Sequence, residues 1–311
     1  MMDQNALLIA EAILHIRQSS DVFKDYVFPI STAFFSAFAG GVSAYYFNRR
    51  QDRGKDEKEN FKTANRIFLI MLSAQSALKA LKINYCHIIE THPIKRALII
   101  PPMDYNEKKI DFDISSLSFI KDIPTSNKSF IEKLQDYINY NILKVKVDRP
   151  SPQELESSWR NLKRLNTCIA NYNVLIDLFK SRAILDKELR GELRSLIYGD
   201  VEDIAFERIK NSIDSIRLQN YLYETEMILV LVDHIIVEIE SFSKQFSKIA
   251  ESNIELSFVG KGASLMRTLM NEQENQLVLS QIVQVDYSLF SKYTKIPLDK
   301  IPVLFTFYGG D

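Results

Sequence analysis

Residues 26–47 read YVFPISTAFFSAFAGGVSAYYF, and no charged side chain interrupts them. Wound as an α-helix, these twenty-two residues reach roughly 33 Å, against about 30 Å for the hydrocarbon core of a bilayer. Tyr26 stands at one end and Tyr45 and Tyr46 at the other, where amphipathic rings favour the membrane interface. Pro29 falls in the first turn, where its missing N–H costs little. The stretch predicts a transmembrane helix. A cleaved signal peptide fits less well, because the run is long and Arg49 and Arg50 follow it instead of a small-residue cleavage site. A buried core helix is the competing reading, but such helices rarely avoid charge over this length.

The flanks set the orientation. Arg49, Arg50, Arg53, Lys55, Lys58 and Lys62 follow the span, and only Arg17 and Lys24 precede it. The excess of cations predicts a cytoplasmic C-terminal side and an external N-terminus in an inner membrane. Asp52, Asp56, Glu57 and Glu59 interleave with the cations, so the cluster reads as a topology signal more than a lipid-binding patch. Within the span Ala33, Ala37, Gly40 and Ala44 share one face, with Gly41 beside it. Such a strip lets helix backbones approach closely, and it predicts self-association. The division expected is a tail at 1–25, with an interfacial helix over Asn5–Ile16; a transmembrane helix at 26–47; and a cytoplasmic helical domain at 48–311.

The whole chain has 311 residues, 46% of them hydrophobic and 25% charged, with a net charge of -1. The composition is globular, and the near-neutral balance argues against direct nucleic-acid binding. Nine glycines and nine prolines are few for this length, which favours long helices. The fold class predicted is all-α, a bundle of long helices. Helices are expected over 60–90, with a break near Gly54, over 128–143, 151–180, 184–197, 201–249 and 264–283. An extended apolar tail should follow. Ser151-Pro-Gln-Glu154 has the form of a capping box. Ile228, Val232, Ile235, Ile239, Phe242, Phe246 and Ile249 keep a four-three alternation, the seam of a central helix. Alternation over KIDFDI, 109–114, is a weak strand signal.

Residues that could carry chemistry are sparse. Asp233-His234 invites an acid–base reading, but Glu226, Asp233 and Glu240 recur every seven residues opposite the seam, the pattern of a solvated stripe. Cys86, His87, Glu90 and His92 lack zinc-site spacing. Val259-Gly-Lys-Gly-Ala-Ser264 lacks the spacing of a phosphate loop and reads as an interhelical turn, with Ser264 as N-cap. Cys86 and Cys168 form no CxxC and read as reduced thiols. No catalytic residue, metal or cofactor is expected, and the chain does not read as an enzyme.

The layout of the first 125 residues and the segment 110–119, IDFDISSLSF, resemble single-pass bacterial membrane proteins with a helical cytoplasmic region. Some of these are membrane effectors of anti-phage systems, retrons among them. The resemblance implies an effector whose helical domain binds a cytoplasmic protein or ribonucleoprotein and whose span acts on the bilayer, as in abortive infection. The alternative is a membrane-tethered scaffold that recruits a partner without toxicity.

Overall fold

A computed structural model describes residues 7–11, 28–102, 107–123, 130–143, 151–197, 202–267 and 278–306. Among these residues every regular element is helical and no strand forms, so the protein is all-α. The chain divides into two units, Met1–Glu57 and Lys58–Asp311. Of the expected tail helix, only 7–11 is described, and it is helical.

The first long helix, α1 (Phe28–Ile83), crosses the unit boundary without a break. Gly54 does not interrupt it, contrary to expectation. One glycine costs a helix interior about 1 kcal/mol, which the strong helix formers around it offset. No helix among the described residues is long and apolar enough to cross a membrane. The physical reason lies in the composition of 28–47: Ser31, Thr32, Ser36, Gly40, Gly41 and Ser43 dilute the aromatic and aliphatic residues. Tyr26 and Val27, the first residues of the expected span, lie outside the described residues.

In the second unit, α1 buries Ala64, Ile67, Phe68, Met71, Ala74, Gln75, Leu78 and Lys82, spaced mostly three and four apart. That spacing is the stripe of an amphipathic helix facing a core. Then come α2 (Pro93–Ile99), α3 (Phe130–Asn141), α4 (Pro152–Ser157), α5 (Leu162–Ile197), α6 (Glu202–Ser212), α7 (Ser215–Glu251), α8 (Tyr287–Thr294) and α9 (Ile301–Leu304). The pair α5 and α7 makes the main packing contact of the unit. The predicted seam holds: Ile228, Val232, Ile235, Ile239, Phe242 and Phe246 are buried, and Ile249 is partly so. Phe242 gathers the aromatic core, with Phe246 stacked 4.4 Å away, Trp159 edge-on at 5.2 Å and Phe68 at 6.2 Å.

Several boundaries differ from expectation. The capping box forms: the Ser151 hydroxyl accepts from Glu154 N, and the Glu154 carboxylate accepts from Ser151 N. The helix it starts is only α4, because Trp159 leaves the helical path to bury its indole, which donates to Ser241 Oγ at 3.0 Å. In turn α5 runs unbroken to Ile197, since Arg182, in the expected gap, is buried and bonded. The helix expected over 201–249 is split in two, and Asp214 caps the second part by accepting from Ile216 N and Arg217 N. Residues 109–113 form no strand. Instead the Asn173 amide both donates to and accepts from the Ile110 backbone, as a neighbouring strand would. Ser264 caps no helix: Leu265 N and Met266 N bond to Glu251 and Asn65. Residues 268–277, the middle of the helix expected over 264–283, lie outside the described residues. The tail expected to be extended, IPVLFTFYGGD at 301–311, begins with the short α9, and α8, capped by Asp286, precedes it where no helix was expected.

Candidate functional site

Two regions stand out, one in each unit. The first is the part of α1 from Phe28 to Phe47. Phe28, Ile30, Phe34, Phe35, Phe38, Val42, Tyr45 and Tyr46 share one broad arc of about half the helix, Phe47 lies off it, and all are exposed, from 40% at Val42 to 70% at Phe47. Ala33, Ala37, Gly40, Gly41 and Ala44 are exposed too. A Cβ built on Gly40 or Gly41 would meet nothing within 4 Å, so the small-residue face is open in the single chain. The Thr32 hydroxyl donates to Phe28 O at 2.7 Å, which satisfies it within the helix. Arg49, Arg50 and Arg53 follow on the same helix and are exposed. Lys55 and Asp52 form an exposed i,i+3 pair at 3.1 Å, a kind of contact worth little.

The second region runs along α7. Glu226, Asp233 and Glu240 do share a face, but that face is turned inward, and each acid meets a cation from an earlier helix. Arg96 of α2 lies 2.9 Å from Glu226, Lys82 of α1 2.7 Å from Asp233, and Lys79 of α1 3.3 Å from Glu240. Gln75 adds a hydrogen bond to Glu240 at 3.0 Å. The solvated-stripe expectation is therefore corrected: the seven-residue period marks a ladder of buried ion pairs. Beside it, Arg164 grips Glu238 with two hydrogen bonds, of 3.0 and 2.7 Å. A similar knot ties α2 to α5 and α7. Arg190 donates to Asp186 and to the carbonyls of Leu98 and Ile100, and the Tyr221 hydroxyl donates to Asp186 at 2.6 Å. The guanidinium of Arg190 thus neutralises the carbonyl end of a helix.

The electrostatics follow from this burial. Glu226 is 2% exposed. Burial pushes its pKa up to about 7, and Arg96 pulls it down only in part. Arg96 Nε lies 2.9 Å from Glu226 Oε1 and favours the carboxylate, but burial outweighs it. For Asp186 burial also pushes upward, but hydrogen bonds from Arg190 and Tyr221 outweigh it, and its pKa falls. Burial raises the Cys168 thiol to about 12 and lowers His234.

A cavity of about 410 Å³ opens beside the ladder, lined by Arg96, Glu226, Asp233, His234, Tyr287 and Phe305 among others. Its chemistry is that of a latch. Asp233 uses one oxygen for Lys82 and the other to accept from Ile282 N at 2.8 Å, and Lys82 donates to Ser280 O at 2.7 Å. The ion pair thus holds the segment 280–282, and its carboxylate is committed to that task. Sequence reasoning sets Asp233 beside His234 because they are neighbours. The partners that matter, Lys82 and Ile282, are distant in the chain and leave no local signal.

The cysteine–histidine group is not brought together as a ligand set. His92 caps α2 by accepting from Lys95 N, while Glu90 accepts from the backbone of Thr91 and His92. Among the described residues, no three His, Cys, Asp or Glu side chains are placed to hold a metal ion. Cys86 and Cys168 are both unbridged. Comparison of the chain with protein-family models, with curated proteins and with solved structures finds no match.

Proposed function

We propose that the protein is a membrane-anchored effector, with residues 28–47 in the bilayer and the helical unit from Lys58 onward on the cytoplasmic side, where it binds a protein or ribonucleoprotein partner. One observation carries the reading: an uncharged helical stretch exposes large apolar side chains over about half of its circumference and small residues over another face. Monomers in water rarely expose contiguous apolar patches above a few hundred Å². Lipid is the solvent that suits such a helix on all faces at once, and the serines and threonine within it can bond to their own backbone as Thr32 does. Arg49, Arg50 and Arg53 support the orientation. The carboxylates beside the cavity are engaged in holding structure, which supports a binding role over a catalytic one.

In this reading the partner restrains the protein. Its release lets several copies associate through Ala33, Ala37, Gly40, Gly41 and Ala44 and disturb the membrane, as the likeness to defence effectors suggests. One uncharged helix cannot line a polar path, so association is required. The test is expression of wild type and Gly40→Leu, with growth and membrane potential followed. Depolarisation by wild type that Gly40→Leu abolishes, with both proteins membrane-bound, is the expected result. Intact potential with and without the partner would leave a membrane tether that recruits without toxicity. Recovery of full-length protein without detergent, as a monodisperse species, would remove the membrane altogether.

A further inference from the structure

The cavity beside α7 has the make-up of a small-molecule site. Its volume of about 410 Å³ falls within the roughly 300–1,000 Å³ of such sites, which are mostly apolar with a few placed polar groups. Val230, Val237, Ile282 and Val285 supply an aliphatic lining, and Tyr287 and Phe305, whose rings stack 6.4 Å apart, an aromatic one. The most buried polar residues of the lining are Arg96 and Glu226, each 2% exposed. Asp233, by contrast, is committed to Lys82 and Ile282 N.

The Arg96–Glu226 pair is not used up by its own contact. Arg96 turns Nε to Glu226 Oε1 and donates from Nη1 to Glu90 O at 3.1 Å. A guanidinium has more donors, and a carboxylate more acceptor sites, than these contacts use. Arg96 Nη2 and Glu226 Oε2 make no hydrogen bond to a described residue. The pair thus offers a ligand a donor beside an acceptor, with their charges already matched. Charge then selects among ligands. Arg96 is the only lysine or arginine among the lining residues, so a phosphate group would find one cation, already shared with Glu226. A ligand carboxylate would face that of Glu226, and an ammonium would face Arg96. A neutral ligand meets neither repulsion.

We infer that the cavity binds a neutral, planar cyclic amide: its C=O accepts from Arg96, its adjacent N–H donates to Glu226, and its ring packs on the aliphatic lining and on Tyr287 and Phe305. Planar aromatic bodies gain from ring contacts beyond the area they bury. The ligand touches α7 and the segment that the latch holds. All of its partners belong to the second unit, so the inference does not depend on the membrane reading of residues 28–47. Burial raises the pKa of Glu226 to about 7, against the pull of Arg96 and of Arg182 from α5. Asp233, His234 and Tyr287 share the cavity with it. The ionised carboxylate is the form that accepts from the ligand N–H, so affinity rises with pH.

The test is isothermal titration calorimetry of full-length protein in detergent with carbostyril, a bicyclic aromatic lactam, and with micelles alone as the blank. Saturable binding is expected, roughly tenfold stronger near pH 8 than near pH 6 as Glu226 ionises. The N-methyl derivative, which lacks the donor, should bind about tenfold more weakly or less, because Glu226 is left unpaired. Val237→Trp, at a lining position that is 46% exposed, should remove binding with an unchanged circular dichroism spectrum. Glu226→Gln should bind but lose the pH dependence. Guanosine carries the same edge on a nucleoside: binding tighter than that of carbostyril supports the inference with a nucleoside as source, and weaker binding supports it with a simple lactam. Carbostyril that does not saturate, or that binds Val237→Trp as well as wild type, overturns the site. Equal binding of carbostyril and its N-methyl derivative overturns the hydrogen-bonded class. Naphthoate that binds more tightly than carbostyril, and more so at low pH, replaces the neutral ligand by an anion and overturns the assignment.

Discussion

Residues 28–47 of α1 and the Glu226–Asp233–Glu240 face of α7 invert the usual arrangement in opposite directions: the first exposes apolar side chains, and the second buries charge. The two carry different kinds of information. Buried charge is satisfied inside the chain, by Arg96, Lys82 and Lys79, so it explains how the second unit is held together. Exposed apolar surface meets no partner among the described residues, so it points outward, to a solvent or a partner. Internal closure speaks for stability, and its absence for function.

The largest expected effect comes from putting a charge where there is none. Phe38→Lys places an ammonium near the middle of the apolar stretch, at about 2.5–3.5 kcal/mol on an insertion scale. Membrane flotation should show most of the protein lost from the lipid fraction. Unaltered flotation would mean that the stretch does not enter the bilayer, and the contrast with α7 would collapse into two internal features.

On the α7 side, Arg96→Met strands Glu226 in a site it cannot leave, and should cost about 3–5 kcal/mol by urea unfolding monitored by circular dichroism. The double change Arg96→Met with Glu226→Leu should recover most of that loss, because burial outweighs the attraction of Arg96 for the Glu226 carboxylate. A double variant as unstable as the single one would show that the ladder contributes net stability.

The pH dependence of stability sharpens the same point. Glu226 is raised in the folded protein to about 7, from an unfolded value of about 4.3. The folded state therefore holds a proton that the unfolded state has lost, and the contribution of Glu226 to stability falls as pH rises between those values. His234, lowered by burial, works the other way: its contribution rises with pH up to its unfolded value, about 6.5. Melting temperatures of wild type and Glu226→Gln across this window should separate the two. The difference between the proteins should shift against wild type as pH rises, and a pH-independent difference would remove the titration from Glu226. The smallest effect belongs to Ser151→Ala, which removes an exposed cap worth about 1 kcal/mol at most and should barely move the melting temperature.

Patterns that depend on near neighbours in the chain are legible in the sequence. The seam from Ile228 to Phe246 is one, because burial along one helix repeats in its own sequence. The Ser151–Glu154 box is another, since its donors and acceptors lie three residues apart. The sign of the α7 acidic face is not legible. A seven-residue period looks the same whether the face meets water or meets Arg96, Lys82 and Lys79, and those cations lie 130 to 161 residues away. The start of α5 is hidden for a related reason: Trp159 breaks the helix to reach Phe242, a contact that only tertiary packing creates. Of the site residues named from sequence, the small-residue face and its flanking arginines are exposed on α1. The latch at 280–282 has no sequence signature, since half of it is backbone.

That latch also imposes an order of assembly. The ribosome makes Lys82 first and Asp233 next, and residues 280–282 only after both. During that interval the buried carboxylate and ammonium lack two of the bonds they later make, and the groove beside α7 is uncapped. Closure of the groove therefore waits for Ser280 and Ile282, the last partners of the pair to be made.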